Sequence, residues 1–303
     1  MKPIRLIREV LSPGTSGPTN GQYALQSLLR QRIAADPSLA SWLHIGGVLR
    51  DGEIPWYWSW EDFPGLLSCC VAGWPFIAGP NVLFRSSSRP GKYPGERQIL
   101  DSPHCRMLYT ESKWYGDLID RHRGRQSVAP LVLWPYPIYP LPSSNPIEPP
   151  EFDLLIYCKS GYHTRTIHAL TRRWPRSMVL TYGGFTRGAL AHYAERSCCC
   201  AYLSNDDRGP LALAEVLLCG CSAVGVKNGA PWIEEGGGDG GQSNQGNGKY
   251  VSRLLESDLI PAIEWVLDTI TDRRAVQESA RDRFDGRLAV ETVIASLESV
   301  ASD

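Results

Sequence analysis

The sequence contains no long apolar run, and its charges nearly cancel. No hydrophobic stretch approaches the ~20 residues that cross a bilayer as a helix. The N-terminal segment MKPIRLIREVL lacks the apolar core of a signal peptide. A formal net charge of −1 gives no general attraction to nucleic acid or membrane. We therefore expect a soluble, cytoplasmic protein that binds no nucleic acid and has no integral membrane segment, which leaves peripheral membrane contact open.

Metal-binding and dinucleotide-binding patterns are also missing. The nine cysteines include no C-x-x-C pair, and no histidine cluster accompanies them. Since most of them lie in apolar stretches, we expect buried, reduced thiols and no metal site. The glycines of the loop Ser12–Gly21 do not have the G-x-G-x-x-G spacing, so a dinucleotide fingerprint is unsupported.

Both halves of the chain alternate strand-like and helix-like segments, which predicts parallel, doubly wound sheets. Seven prolines between Pro135 and Pro150 exclude helix and central strand there and favour a stiff linker. We predict an α/β protein with two Rossmann-like domains that face each other across a cleft. The predicted parts are domain 1–140, linker 141–150, domain 151–274 and a C-terminal helical segment 275–303. We expect the last segment, a single helix over Ala275–Val300, to pack back on the first domain.

Ligands of such sheets bind at the carboxyl ends of the strands, which directs attention to the residues that follow each strand. Lys159 follows the predicted strand Leu154–Cys158, and Arg165 comes at the start of the next helix. Cations at these places can neutralise a diphosphate. Gly183 and Gly184 follow the next strand, where backbone can approach a base or ribose; an ordinary turn is the alternative.

The segment DRGPLALAEVLLCG is the most informative part of the sequence. Asp207 precedes a predicted helix, and Glu215 lies about two turns inside it. The helix start at Gly209, Pro210 and Leu211 offers free N–H groups, which suit a phosphate. Carboxylates nearby can accept hydrogen bonds from sugar hydroxyls. A structural salt bridge for Glu215 and a helix-dipole contact for Asp207 are the alternatives.

The first half offers weaker candidates. Gly14, Gly17 and Gly21 in the loop after the first strand could present N–H groups to a phosphate or an acceptor, or could form an ordinary turn. Arg85 follows a predicted strand Val82–Phe84 and could reach the cleft. The basic cluster Arg121–Arg125 is either a solvated surface or a contact for an anionic lipid or acceptor.

These residues resemble those of GT-B glycosyltransferases, most closely the retaining family four, and the likeness is strongest over 151–303. That family has an acid, seven other residues and a Glu before a small helix end, here Asp207…Glu215 followed by Leu218-Cys219-Gly220-Cys221. It follows with a Gly/Pro/Glu turn, here Asn228-Gly229-Ala230-Pro231 with Glu234-Glu235-Gly236. Ala280-Arg281 and Arg283-Phe284 match its closing helix. The sequence departs from the pattern where Asp207 replaces a Glu and Cys158-Lys159 replaces Gly-Arg.

The resemblance implies an enzyme that moves a sugar from a nucleotide-diphosphate donor to an acceptor, with retention. It implies that 1–140 is the acceptor domain and 151–274 the nucleotide-sugar domain. By the same resemblance Glu215 binds the donor ribose, Asp207 the transferred sugar and Lys159 the diphosphate. No cofactor or metal is required. A sugar-nucleotide epimerase and a non-catalytic GT-B scaffold remain as alternatives.

Overall fold

The computed structural model describes residues 1–12, 17–83, 90–124, 129–138, 146, 149–159, 163–236 and 246–302. The chain divides into two compact units. Unit 1 comprises Met1–Tyr139 and Gly286–Asp303, and unit 2 comprises Pro140–Asp285. Each unit contains one parallel sheet, which confirms the predicted α/β class with two Rossmann-like domains.

Unit 1 is built on a six-stranded sheet in which every pairing is parallel, in the order β2-β1-β3-β4-β5-β6. The strands are β1 (Ile4–Leu6), β2 (Leu43–Ile45), β3 (Ile54–Ser59), β4 (Phe76–Asn81), β5 (Cys105–Thr110) and β6 (Leu131–Leu133). The helices are α1 (Gly17–Ala35), α2 (Pro37–Ala40), α3 (Phe63–Ala72), α4 (Pro94–Leu100), α5 (Lys113–His122) and, at the end of the chain, α11 (Gly286–Ser302).

The core of unit 1 includes two clusters of buried side chains. Leu66 of α3, Ile99 of α4 and Ile119 of α5 join one cluster, so these three helices cover the same side of the sheet. The other is aromatic: Trp58 and Trp134 meet edge to face at 4.8 Å between centroids, and Trp56 and Tyr109 adjoin them. Burial of such large rings is a dominant stabilising contribution.

Unit 2 has a five-stranded sheet, also parallel throughout, in the order β11-β10-β9-β7-β8. Its strands are β7 (Phe152–Cys158), β8 (Ser177–Thr181), β9 (Ser197–Leu203), β10 (Ser222–Val226) and β11 (Gly248–Val251). Its helices are α6 (Thr164–Arg173), α7 (Arg187–Ala194), α8 (Leu211–Leu218), α9 (Glu256–Thr269) and α10 (Arg273–Phe284). The central strands β7 and β9 are almost fully apolar and buried, as expected for a sheet covered on both faces.

The structure corrects the predicted helix Ala275–Val300, which is two helices. Asp285 has an extended backbone (φ −57°, ψ 118°) and ends α10. Gly286 then starts α11 in a close contact, where a Cβ would lie 2.6 Å from Cδ1 of Leu28 in α1. A pattern of apolar residues on one helical face continues through the break, so the sequence alone does not reveal it.

The strands of unit 1 differ from the sequence prediction at two places. The central strand β3 was missed, because Pro55 and its aromatic neighbours do not form an alternating pattern. Residues Val82 and Leu83 form a turn and not a strand. No helix in the described ranges is long and apolar enough to span a bilayer.

Candidate functional site

The carboxyl edge of the unit 2 sheet has a topological switch point between β7 and β9. The chain leaves β7 through α6 toward β8, and it leaves β9 through α8 toward β10, on the other side. Since crossovers between parallel strands are right-handed, these connections diverge onto opposite faces and open a crevice at the strand ends. Lys159 follows β7 directly, and Asp207 lies in the loop that follows β9.

Lys159 and Asp207 form an ion pair at this switch point. The ammonium Nζ of Lys159 lies 2.5 Å from Oδ2 of Asp207. The Tyr202 hydroxyl donates to the same Oδ2 at 2.9 Å. The Asp207 side chain is 5% exposed and that of Lys159 is 28% exposed, so the cation reaches solvent while its partner does not. The ion pair therefore holds a partly exposed ammonium group at the strand ends, where a phosphate could accept hydrogen bonds from it.

Aromatic rings surround this ion pair. Tyr157 of β7 stacks on Tyr202 of β9 with centroids 4.9 Å apart, and Lys159 Nζ lies 5.6 Å from the centroid of the Tyr182 ring. Burial raises the pKa of Tyr157, and the negative charges of Asp207 and Glu215 raise it further. Both predicted carboxylates thus lie within electrostatic reach of the Tyr157 ring, each in an ion pair of its own.

Glu215 is paired with a cation that the sequence analysis missed. Its carboxylate, 12% exposed, forms an ion pair with Arg187 at the start of α7. Burial raises the pKa of Glu215, and the nearby Arg187 opposes that shift. A positive charge in the first turn of a helix interacts unfavourably with the helix dipole. This position of Arg187 in the sequence could have indicated that it pairs with a carboxylate elsewhere in the fold. Tyr202, within an apolar strand, carried no such signal.

The backbone at the start of α8 corrects the prediction that Gly209, Pro210 and Leu211 offer free N–H groups. Pro210 caps α8, and its carbonyl accepts from the N–H groups of Leu213 and Ala214. Gly209 accepts from the N–H of Leu211 at 3.0 Å, which leaves that amide occupied.

Gly183 and Gly184 form the turn after β8. Gly183 has φ +81° with open space where a Cβ would be, and Gly184 donates its N–H to Thr181. A ligand could therefore approach this backbone closely.

No described contact links Arg165 to Lys159, Asp207 or Glu215. It is 90% exposed and pairs with Glu256 of α9 at 2.8 Å. A pocket of about 650 Å³ lies at the ends of β10 and β11. Its polar lining includes His163, Lys227 and Arg253. Within the described ranges, no group of three or more metal-ligating side chains could hold a metal ion.

The structure describes only some residues of the predicted phosphate or acceptor loop of unit 1. Gly14 and Arg85 lie outside the described residues. Gly17 and Gly21 belong to α1, which corrects their assignment to a loop; the helix begins at Gly17, one turn before Gly21.

Unit 1 has its own switch point, between β1 and β3, and a missed cation lies there. Arg8 follows β1 and forms an ion pair with Glu61, which follows β3; its Nη1 also donates to Ser59 at 3.3 Å. Gln26 of α1 donates to the carbonyl oxygen of Arg8 at 2.6 Å and fixes this connection. The arrangement holds a partly exposed guanidinium at the strand ends of this sheet.

No protein-family model matches this sequence, and neither does any curated protein. Solved structures do match over almost the whole chain. HepE of Anabaena, in complex with UDP and glucose, has 12% identity and a TM-score of 0.67, with 99% of this chain and 100% of that chain covered. WaaB, a lipopolysaccharide outer core galactosyltransferase, has 10% identity and a TM-score of 0.63, with 99% of each chain covered.

AviGT4, a glycosyltransferase involved in avilamycin A biosynthesis, gives a third match. It has 13% identity and a TM-score of 0.55, with 100% of this chain and 98% of that chain covered. At sequence identities this low, the structural similarity shows the fold alone. Together with the two parallel sheets, these matches show that the chain has the GT-B glycosyltransferase fold.

Proposed function

We propose that this protein is a glycosyltransferase that moves a sugar from a nucleotide-diphosphate donor to an acceptor, with retention. The observation that carries the proposal is the Lys159–Asp207 pair at the switch point of unit 2. A partly exposed cation fixed there can hold the donor diphosphate and stabilise the negative charge of the departing phosphate.

Each remaining group has a proposed role. Glu215 binds the ribose, and Arg187 forms an ion pair with its buried carboxylate. Both hydrogen bonds described for the Asp207 side chain use Oδ2, so we assign Oδ1 to a hydroxyl of the transferred sugar. The leaving phosphate accepts the acceptor's proton, so the scheme needs no dedicated base and no metal. Gly183 and Gly184 approach the nucleoside.

The first donor to test is UDP-glucose, because the structure of HepE contains UDP and glucose. Incubation of UDP-glucose with the protein should release UDP slowly by hydrolysis. The substitutions Asp207→Asn and Glu215→Gln should each reduce this release at least tenfold, since each removes a charged hydrogen bond of about 1.5–3 kcal/mol. Asp206→Asn is the control and should retain the wild-type rate.

The pairing of both acids with cations favours a second candidate, a non-catalytic GT-B scaffold. A scaffold would bind nucleotide sugars without releasing UDP from any donor in a panel. Release of UDP that is equal in the wild type and both acid variants would contradict the proposed site. Conversion of UDP-glucose to its epimer would instead identify an epimerase.

A further inference from the structure

The outer face of α3 in unit 1 has no charge. The sequence from Phe63 to Leu83 contains no Asp, Glu, Lys or Arg. On its inner side α3 buries Leu66 and Cys69 in the core. A helix at the surface of a globular protein ordinarily presents charged and polar side chains to water. A helix without charged residues is typical of an element that is buried on both sides, but one side of α3 is exposed to solvent.

The open side of α3 carries Pro64, Ser68 and Val71, and an exposed tryptophan follows the helix. Pro64 and Val71 lie two turns apart on the helix, and Val71 is 82% exposed. Gly73, at φ +72°, ends the helix and is followed by Trp74, which is 58% exposed. Tyr93, 43% exposed, precedes α4 near the other end of α3.

The position of Tyr93 follows from the packing of α4 on α3. A Cβ on Gly95 of α4 would lie 2.8 Å from the ring of Phe63, the first residue of α3. Exposed aromatic residues thus lie at both ends of an apolar helix.

A basic cluster borders this apolar surface. Arg97 of α4 donates to the carbonyl oxygen of His122 at the end of α5, next to the exposed Arg121. Lys92 lies 5.7 Å from the centroid of the Tyr93 ring. Lys92 and Arg121 have no carboxylate partner among the described side chains, whereas Arg97 is paired with Asp101. Of the basic cluster singled out in the sequence, Arg121 therefore lies beside the surface that α3 begins, and Arg125 lies outside the described residues.

We propose that this surface docks the protein onto an anionic lipid bilayer. We name it the apolar–basic face, and it comprises Pro64, Val71, Trp74, Lys92, Tyr93 and Arg121. Charge complementarity argues for lipid: apolar and aromatic groups beside unpaired cations match the hydrocarbon boundary and anionic headgroups of a membrane interface. The ten residues of α3 extend only about 15 Å, so the helix lies in the interface and does not cross it.

Co-sedimentation with vesicles tests the proposal on the full chain. The wild type should bind phosphatidylcholine vesicles that contain phosphatidylglycerol and bind pure phosphatidylcholine much more weakly. Val71→Asp should weaken binding at least fivefold, since it places a negative charge on the docking surface. Arg121→Gln should weaken binding to anionic vesicles about fivefold, in keeping with the contribution of one cation near the surface. Val48→Asp is the matched control, because Val48 is 85% exposed on unit 1 outside α3.

A second measurement reports on the face directly. Brominated phospholipids quench tryptophan on contact, so the wild type should lose fluorescence that a Trp74→Phe variant does not lose. Absence of vesicle binding, or equal loss in Val71→Asp and Val48→Asp, would overturn the proposal. Concentration-dependent dimers that Val71→Asp abolishes would also overturn it, in favour of a second copy of this chain on the same face.

Discussion

At the scale of single residues, a buried ion pair in unit 1 changes the pKa of its carboxylate. In unit 1, Arg5 of β1 and Glu53 form two hydrogen bonds of 2.5 and 2.6 Å, with the Glu53 side chain 3% exposed. His44 lies 2.8 Å from the same carboxylate. The Arg5 guanidinium in particular lowers the pKa of Glu53 from 4.5 to about 2.

The pair predicts a specific acid sensitivity of unit 1. Because the folded-state pKa of Glu53 is depressed, its stabilising contribution is complete above pH 4.5 and is lost as the pH falls toward 2. Glu53→Gln should therefore be less stable than the wild type at neutral pH, by about 3–5 kcal/mol, and the gap should narrow in acid. Thermal unfolding over this pH range measures it.

Glu9→Gln is the control for that series, because Glu9 forms an exposed pair with Arg30. Exposed pairs contribute about 0–1 kcal/mol, so its melting profile should follow the wild type. A gap between wild type and Glu53→Gln that is constant with pH would exclude Glu53 as the titrating group.

At the scale of elements, the turn after β10 supports the loop that carries Asp207. The N–H of Asp207 donates to Asn228 at 2.8 Å. A Cβ on the neighbouring Gly229 would lie 1.7 Å from the carbonyl oxygen of Ser204. Only glycine permits this approach of two backbones, and it fixes the two strand-end loops against each other.

Gly229→Ala should consequently destabilise unit 2 by about 1–3 kcal/mol or more, since backbone has to move to relieve the overlap. It should also weaken binding of UDP, because the shift moves the Asp207 loop. Gly188→Ala in α7 is the control: the nearest heavy atom lies 4.0 Å away, and alanine should stabilise the helix by about 0.5–1 kcal/mol. Equal melting temperatures for the two variants would contradict this account of the turn.

The sequence predicted elements well where one local pattern was sufficient. In unit 2 the alternation of apolar strands and amphipathic helices led to β7–β10 and α6–α8 within a few residues. The sequence prediction failed where a strand is specified by neighbouring strands that are distant in sequence. The strand β3 is specified by its place between β1 and β4, which no local pattern of IPWYWS encodes.

The site was predicted to a similar degree. Lys159, Asp207 and Glu215 were recognised from their places after strands and within a helix. Their partners Tyr202 and Arg187 were not, because an ion pair or hydrogen bond across the fold leaves no fixed spacing in the sequence. The glycine spacing likewise does not show that α1 begins at Gly17.

At the scale of the whole molecule, the end of the chain belongs to unit 1. The helix α11 buries Val293 and Leu297, and Ser296 lies 2.5 Å from the hydroxyl of Tyr109. The backbone of Lys2 also donates to Ala301 at 2.7 Å. Two segments from opposite ends of the sequence therefore complete one core.

Leu297→Ala should destabilise unit 1 by about 2–5 kcal/mol, because it leaves a cavity in that core. Leu288→Ala, on the same helix but 58% exposed, is the matched control and should change little. Tryptophan fluorescence during thermal unfolding suits this test, since seven of the ten tryptophans belong to unit 1. Equal effects of the two substitutions would show that α11 does not contribute to the core as described.

The central claim is that the cation fixed at the switch point of unit 2 holds a donor diphosphate. Titration calorimetry with UDP on the wild type, Lys159→Gln and Lys113→Gln tests it most directly; Lys113 is 83% exposed on unit 1. We predict that Lys159→Gln weakens UDP binding tenfold or more, in line with the loss of a charged hydrogen bond, and that Lys113→Gln binds as the wild type does. Unchanged affinity for UDP in Lys159→Gln would contradict the claim.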